Sequence, residues 1–257
     1  MTRSKQILAS SLEIAVPIGI VIVWAATTAT AHSFVFPSLI VILQRFEELW
    51  IFARIPTDVL PSLARLAAGY GIAMVLAIAI GVPLGLSRTA QRAAAPIVEF
   101  FRSIPSPALI PFAITVFGVG SGMKVFIIAF VCIWPTLLNT IDGVRSLDPT
   151  MGETARMYRI SGWLKLRHIV LPNALPQIFA GMRSSLSLAL ILMVISEMVA
   201  SSEGIGFFIL QSQRSFAIAD MWAGILLLGL LGYALNAIFS LIESRVLDWH
   251  KKSRASG

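Results

Sequence analysis

The amino-acid sequence predicts an all-α membrane protein, a single domain of about six transmembrane helices. Two observations support this prediction. Of the 257 residues, 57% are hydrophobic and only 13% are charged, whereas an ordinary soluble domain carries about 25% charged residues. The apolar residues are also grouped into segments that approach the roughly 20 residues a helix needs to cross the hydrocarbon core. One transmembrane domain over residues 1–257 is therefore expected.

Six apolar segments are candidate spans. They are residues 14–31, 66–86, 104–120, 125–141, 178–200 and 221–242. The first is longer than the core of a typical signal peptide, and we interpret it as a retained span. The third and fourth are short and close together, so they are expected to form a tight helical hairpin. Glycines of the second segment permit a close approach of helices; they are Gly69, Gly71, Gly81 and Gly85.

The basic residues indicate how these spans are oriented, because cytoplasmic loops carry an excess of Lys and Arg. With a cytoplasmic N-terminus, the inner side would hold Arg3, Lys5, Arg88, Arg92, Arg102, Arg145, Arg156, Arg159, Lys165, Arg167, Arg245, Lys251, Lys252 and Arg254. The outer side would hold Arg45, Arg54, Arg65, Lys124 and Arg214. Both termini are therefore predicted to be cytoplasmic. The net charge of +7 fits a cationic inner face against anionic lipid better than nucleic-acid binding.

The connection between the fourth and fifth segments, residues 142–177, is long for a helical bundle and is patterned. Residues 148–150 are Asp-Pro-Thr and offer a helix start. Glu153 is expected in the first turn, where a negative charge complements the helix dipole. The Ser-Gly pair at residues 161–162 is expected to end this short helix. A second helical stretch, residues 163–170, is expected to end at the following Leu-Pro pair.

Two interpretations of the short helix are open from its spacing alone. It can lie on the inner leaflet as an amphipathic helix. It can also be a docking helix, because apolar residues on one side and charges at the ends suit insertion into a groove of a cytoplasmic partner.

The same loop resembles the EAA loop of permease subunits of binding-protein-dependent ABC importers. That family's pattern is Glu-Ala-Ala, three residues, Gly, nine residues, and then Ile-x-Leu-Pro. The spacing matches at Glu153, Ala155, Ile169, Leu171 and Pro172. Two positions depart from the pattern: Thr154 replaces the second residue, and Arg159 stands where the family usually has Gly. That Gly permits a close bend between two short helices, and Gly162 is a candidate to supply the bend instead.

Other stretches resemble the nitrate/sulfonate/taurine/pyrimidine-precursor branch of this family. They are residues 62–65, 69–70, 81–85, 102–105, 108, 111, 117–120, 197–198, 204–206 and 219–220, and the resemblance covers roughly residues 37–246. It implies a transporter subunit in a bacterial inner membrane, forming the path for a small solute such as nitrate, a sulfonate, taurine, an aromatic acid or a vitamin precursor.

The resemblance also implies partners and a coupling site. The partners would be a second permease copy, a cytoplasmic ABC ATPase, an extracytoplasmic solute-binding protein and membrane lipid, with no nucleic acid. The short helix between spans four and five would be the cytoplasmic coupling helix. The ATPase-coupling residues would be Glu153, Thr154, Ala155, Met157, Tyr158, Arg159 and Gly162.

Two polar side chains within spans, Asn139 and Glu197, are candidates for the translocation path. An ionisable group in a span is costly and functional by default. Glu197 is near a span end, so it can equally bond a neighbouring helix end, and Asn139 can equally join two helices. Arg65 and Arg183 are also near span ends, and their side chains are expected to reach the membrane surface.

No catalytic or metal site is predicted. His32, His168 and His250 are scattered without metal-ligand spacing. The sequence has no Gly-Lys pair and hence no P-loop, so the chain would bind no cofactor, and ATP and Mg²⁺ would bind to the separate ATPase. A secondary transporter driven by an ion gradient is the alternative, and it would need ionisable or unwound segments near mid-membrane.

Overall fold

The structure is a computed structural model that describes residues 15–16, 19–28, 34–51 and 53–248. The helices in order are α1 (Gly19–Thr28), α2 (Leu39–Trp50), α3 (Leu60–Leu86), α4 (Arg88–Arg102), α5 (Ile110–Phe117), α6 (Ser121–Arg145), α7 (Pro149–Met157), α8 (Gly162–Lys165), α9 (Leu171–Val199), α10 (Ile205–Arg214) and α11 (Ile218–Val246). The π-helical turns Ile55–Val59 and Leu166–Val170 lead directly into α3 and α9. A 3₁₀ turn, Ser106–Leu109, leads into α5.

Four of the described helices are long and apolar enough to cross a membrane. They are Ile55–Leu86, Ser121–Arg145, Gly162–Val199 and Ile218–Val246, which contain most of the second, fourth, fifth and sixth predicted segments. A fifth span results if the bent pair of α4 and residues 106–117 counts as one. The first predicted segment, residues 14–31, lies partly outside the described residues, and its described part contains the 10-residue helix α1.

The third predicted segment, residues 104–120, contains the short helical stretch Ser106–Phe117, which is long and apolar enough for a span only together with α4. α4 ends at Arg102, and the helix over Ser106–Phe117 leaves it at an angle of 84°. Pro105 and Pro107 lie at the break. Proline has no N–H to donate and disfavours helix at the preceding residue, so the chain turns where two prolines follow in close succession.

The described residues divide into two compact units. The larger is drawn from Thr57–Phe207 and Gly229–Gly257, and the smaller from Met1–Pro56 and Phe208–Leu228. In the larger unit α6 packs along both α3 and α9. An apolar cluster joins the C-terminal ends of α3 and α6 to the start of α9; it contains Val82, Val144, Val170, Ala174 and Ile178.

In the smaller unit, an ion pair joins α2 to the start of α11, and aromatic contacts join α1 and the residues before α2 to the same helix end. The Arg45 guanidinium donates to both Asp220 oxygens at 2.6 and 3.0 Å, and this hydrogen bond raises the pKa of Arg45 above its ordinary value. The Trp222 ring lies 5.3 Å from Trp24 and 6.0 Å from Phe36. Its indole N–H donates to the Val35 carbonyl at 3.1 Å.

Glycines on α3 allow its close approach to α6, as predicted for three of the four positions. A Cβ atom at Gly69 would lie 2.7 Å from the Ile128 Cβ, and one at Gly81 would lie 2.7 Å from the Thr140 Cβ. Gly85 meets α6 in the same way. Gly71 has nothing within 4 Å of the corresponding position, so it has no such role within this chain.

This difference predicts opposite effects for two conservative substitutions. Gly81→Ala should lower the free energy of unfolding by about 1–3 kcal/mol, because the new methyl group overlaps a β-branched side chain on α6. Gly71→Ala meets open space and should raise it by up to about 1 kcal/mol, because Ala is the better helix former. Thermal unfolding of both purified variants measures the difference, and equal melting temperatures would contradict the close approach of α3 and α6.

Candidate functional site

The connecting segment (residues 146–162) begins with a well-capped short helix. The Asp148 carboxylate accepts a hydrogen bond from the Thr150 N–H at 2.8 Å and caps the N-terminus of α7. The first turn of α7 contains no acidic residue, so the prediction that Glu153 lies there was wrong. Asp148 supplies the negative charge at this helix end, and Glu153 is exposed one turn later.

Within the connecting segment, α7 ends at a residue whose backbone has a left-handed conformation. The Ile160 N–H donates to the Ala155 carbonyl at 2.8 Å, and the Arg159 N–H donates to the Arg156 carbonyl at 2.9 Å. These two bonds form a Schellman motif, in which the residue after the C-cap adopts positive φ. Arg159 is that residue, with φ 57°, and Gly162 has φ 56°. The position where the resemblance expects Gly therefore keeps the glycine-like backbone conformation although it carries Arg.

Restoring glycine at this position should stabilise the end of α7. An L-residue in the left-handed region costs roughly 1–2 kcal/mol, whereas Gly adopts it without that cost. Arg159→Gly should therefore slow hydrogen exchange of the α7 amides by about fivefold, which corresponds to roughly 1 kcal/mol. Gly162→Ala is the matched control: it adds a methyl group in open space at φ 56° and should leave α7 exchange no slower than in the wild type. Faster exchange in Arg159→Gly would contradict this account.

Some side chains of the connecting segment are buried against the rest of the chain, and others are exposed to the surroundings. Ala155 is buried, with 2% of its surface exposed, so its small side chain serves the contact of α7 with the rest of the chain. Met157 and Tyr158 are 83% and 76% exposed. Glu153 and Thr154 are exposed as well. Two large apolar side chains next to each other at a helix end thus present a surface suited to a partner.

The helix that follows was expected to end at Leu171-Pro172, and this prediction was wrong. α8, the turn Leu166–Val170 and α9 form one helical run of 38 residues, Gly162–Val199. Pro172 follows the π-helical turn Leu166–Val170 closely, and local π-helical adjustments accommodate a proline within a membrane helix. A displacement of the connecting segment would therefore be transmitted directly to a membrane span.

Glu197 lies at the centre of a polar cluster at the other end of α9. Its side chain is fully buried within the chain. One carboxylate oxygen accepts from the Ser62 hydroxyl at 2.6 Å and from Arg65 at 3.2 Å. The other accepts from the Gly206 N–H at 3.0 Å. In this conformation Glu197 therefore faces no open path, and its contacts hold helix ends together.

The cluster extends to the connection between α9 and α10. Arg65 also pairs with Glu203, and only 6% of its surface is exposed, so its guanidinium group is held inside this cluster. Asp58 accepts from the Gly204 N–H at 2.8 Å, and Lys124 donates to the Ser201 hydroxyl at 2.9 Å. The α9–α10 connection is thus tied to α3 and α6, through residues that the sequence does not mark as partners.

Asn139 and Arg183 have local roles. Asn139 is half-buried, and its amide donates to the Pro135 carbonyl of its own helix at 2.9 Å. It also lies where α6 crosses α9, because a Cβ at Gly181 would be 2.7 Å from the Asn139 Cβ. Arg183 pairs with Glu243 of α11, and half of its side-chain surface is exposed.

A cavity of about 450 Å³ opens beside the break of the bent pair. It is lined by Arg102, Ser103, Val131, Trp134, Pro135, Leu138 and Leu188. Trp134 and Leu188 lie near the middle of α6 and α9, so the cavity lies beside the middle of these helices. Arg102 is the last residue of α4 and not a loop residue, and the sequence analysis missed it as a site candidate. Across the described residues, no group of three or more His, Cys, Asp or Glu side chains could hold a metal ion.

Comparison with known proteins gives concordant matches. A family model described as "Binding-protein-dependent transport system inner membrane component" matches residues 69–248. The "Putative aliphatic sulfonates transport permease protein SsuC" of Escherichia coli (strain K12) is 30% identical over 236 residues, covering 91% of this chain and 90% of that protein. The "Nitrate import permease protein NrtB" of Leptolyngbya laminosa is 32% identical over 191 residues, covering 74% and 68%. The "Bicarbonate transport system permease protein CmpB" of Synechococcus elongatus is 32% identical over 187 residues, covering 72% and 67%.

Solved structures give the same fold. A chain in inward facing conformations of the MetNI methionine ABC transporter superposes with a TM-score of 0.63. The match covers 74% of this chain and 94% of that chain, at 20% sequence identity. At this identity the likeness shows the architecture of the helices.

Proposed function

The chain belongs to the family of binding-protein-dependent transport system inner membrane components, and we propose that it is the permease of an ATP-driven importer for small oxyanions. The three relatives described above are named for aliphatic sulfonates, nitrate and bicarbonate. All three solutes are small anions with delocalised charge on oxygen. Sulfonate and nitrate are among the solutes that the sequence resemblance implies, and bicarbonate adds a third of the same chemistry.

The observation that carries the coupling part of the proposal is the geometry of the connecting segment. Met157 and Tyr158 are exposed at the end of α7, and the helical run Gly162–Val199 begins just after them. In the proposed mechanism, α7 sits in a groove of a cytoplasmic ATPase, which binds the ATP and Mg²⁺. Closure of two ATPases moves the grooves, and the continuous helix transmits the movement to the span. ATP binding then favours one of two conformations of the path, which is what coupling requires.

The assembly would contain two copies of the chain that enclose the path, with a solute-binding protein on the outer side. The proposed location is a bacterial inner membrane with both termini and α7 on the cytoplasmic side, supported by the distribution of Lys and Arg. Reporter fusions after Arg54 and after Lys252 should give external and cytoplasmic signals, respectively. The reverse pattern would overturn this orientation.

Uptake by a reconstituted complex tests the function. Proteoliposomes containing the chain and its ATPase, supplied with the loaded binding protein, should accumulate ethanesulfonate, nitrate or bicarbonate only when ATP is present. An ionophore should leave this uptake unchanged. The unwound break beside Arg102 meets part of what a secondary transporter needs. Uptake that persists without the ATPase and collapses with an ionophore would therefore replace the importer by that alternative.

A further inference from the structure

The cavity at the break of the bent pair contains one charged residue in apolar surroundings. Of its lining residues, Arg102 is charged, Ser103 carries a hydroxyl group, and the others are Trp134 and aliphatic side chains. The cavity volume of about 450 Å³ is within the range of sites for small ligands. Its position near the middle of α6 and α9 distinguishes it from a recess at a membrane surface.

The presence of a charged arginine beside the middle of two spans requires a physical explanation. A charged side chain far from the membrane surface is costly, and such residues face a water-filled cavity and mark a substrate pathway. A helix break in the middle of a membrane also indicates a cavity or a protein interior, because irregular backbone is tolerated there only where it is buried in protein or lines a cavity. In this chain both features occur at the same place, since α4 ends at Arg102 and the helix resumes at Ser106 after the 84° bend.

We propose that Arg102 forms a contact site for the oxyanion group of the solute, at the break of the bent span. This inference rests on the proposed function for its solute class. The guanidinium group offers planar, paired N–H donors that match two oxygens of a carboxylate, sulfonate, nitrate or bicarbonate. The Ser103 hydroxyl donates to the Glu99 carbonyl at 2.7 Å, so Arg102 supplies the donors of the site. The apolar wall at Val131, Leu138 and Leu188 accommodates an organic substituent.

One feature of the site agrees with brief occupancy by the solute, which transport requires. The Arg102 Nε atom donates to the Glu99 carboxylate at 2.8 Å, and about half of each side chain is exposed. The two terminal nitrogens of Arg102 have no hydrogen-bond partner among the described residues, while the Glu99 carboxylate competes with an arriving anion and weakens its binding.

Charge-selective labelling of a cysteine in the cavity tests the site whichever anion the chain transports. Ser103→Cys is introduced into the complete complex, where the native Cys132 is buried and wild-type protein reports its background. The new thiol should react roughly tenfold faster with sulfonatoethyl methanethiosulfonate than with its trimethylammonium analogue, because Arg102 attracts the anionic reagent. Adding Arg102→Gln should abolish this preference, and Glu99→Gln should increase it. Ethanesulfonate, nitrate and bicarbonate are tested as protectants, and at least one should slow the reaction.

Two matched controls separate the site from general effects. Arg92→Gln removes a positive charge from the same helix at a position outside this cavity, and it should leave the preference unchanged. Thr115→Cys places an exposed thiol on α5, which contains no charged residue, and it should show no preference. An unreactive thiol in the Ser103→Cys variant, an absent charge preference, or a preference that survives Arg102→Gln would each overturn the proposal.

Uptake measurements distinguish failure of this site from failure of the proposed function. If the wild-type complex imports none of the three anions but the thiol of Ser103→Cys keeps its Arg102-dependent preference, the anion site stands and the proposed solute class fails. If the wild-type complex imports one of them and Arg102→Gln imports it at an unchanged rate and KM, the function stands and the site is overturned. The expected result is wild-type uptake that Arg102→Gln lowers at least roughly tenfold, with ATPase recovery unchanged.

Discussion

Replacing Met157 with Glu should release the ATPase from the purified complex while the permease remains folded. Met157 is 83% exposed, so the substitution disturbs no internal packing of the chain. If α7 docks in a groove of the ATPase, the new carboxylate would be buried there without a partner. Loss of a central apolar anchor costs about 2 kcal/mol or more, which corresponds to roughly a 30-fold weaker complex. Co-purification of the ATPase at equal permease yield measures the effect.

Val119→Glu is the matched control for this experiment. Val119 is 70% exposed and precedes α6, whereas α7 follows the opposite end of that helix. The same apolar-to-acidic change should therefore leave ATPase recovery at the wild-type level. Equal ATPase recovery from both variants would mean that α7 is only a surface connection, and the proposed coupling through it would fail. Ala155→Trp is a poorer test, because Ala155 is buried and the substitution would disturb the chain itself.

Removal of the Glu197 side chain should cause the largest loss of stability. Glu197→Ala leaves Arg65 buried without this partner and also removes the acceptor for the Ser62 hydroxyl and the Gly206 N–H. Breaking a buried ion pair by removing one member costs about 3–5 kcal/mol. Thermal unfolding of the purified chain should therefore show a markedly lower melting temperature. Glu197→Gln keeps the size and one acceptor oxygen, so its loss should be smaller.

An exposed ion pair in the same unit is the control. Glu243→Ala removes the partner of Arg183, and half of the Arg183 side chain is exposed to its surroundings. Pairs of this kind contribute about 0–1 kcal/mol. Similar melting temperatures for Glu197→Ala and Glu243→Ala would refute the structural role given to the polar cluster. If Glu197→Gln unfolds like wild type but transports more slowly, the result would support the hypothesis that Glu197 lines the translocation path.

The sequence by itself determined the membrane character of the chain, the position of its long apolar spans and the existence of α7. These features depend on local information. A run of apolar residues must be buried in lipid or protein wherever it lies, and the Asp148 cap and the Ser-Gly pair at residues 161–162 act on their immediate neighbours. The glycines at positions 69, 81 and 85 were likewise identified correctly, because a missing side chain permits close approach whichever helix is the neighbour.

The tertiary structure alone decided which distant residues meet and where the chain bends. Arg65 and Glu197 are 132 residues apart in the chain, and nothing local to either indicates that it is the partner of the other. A straight span and a bent span have the same apolar composition. The sequence therefore shows that residues 104–120 are apolar enough for a membrane, but it does not show that the chain bends there. The path of the backbone through that break places Arg102 at the end of α4, beside a cavity at the middle of α6 and α9. Depth in the membrane is a property of the folded chain, because it depends on how neighbouring helices are placed and not on the order of residues along the sequence.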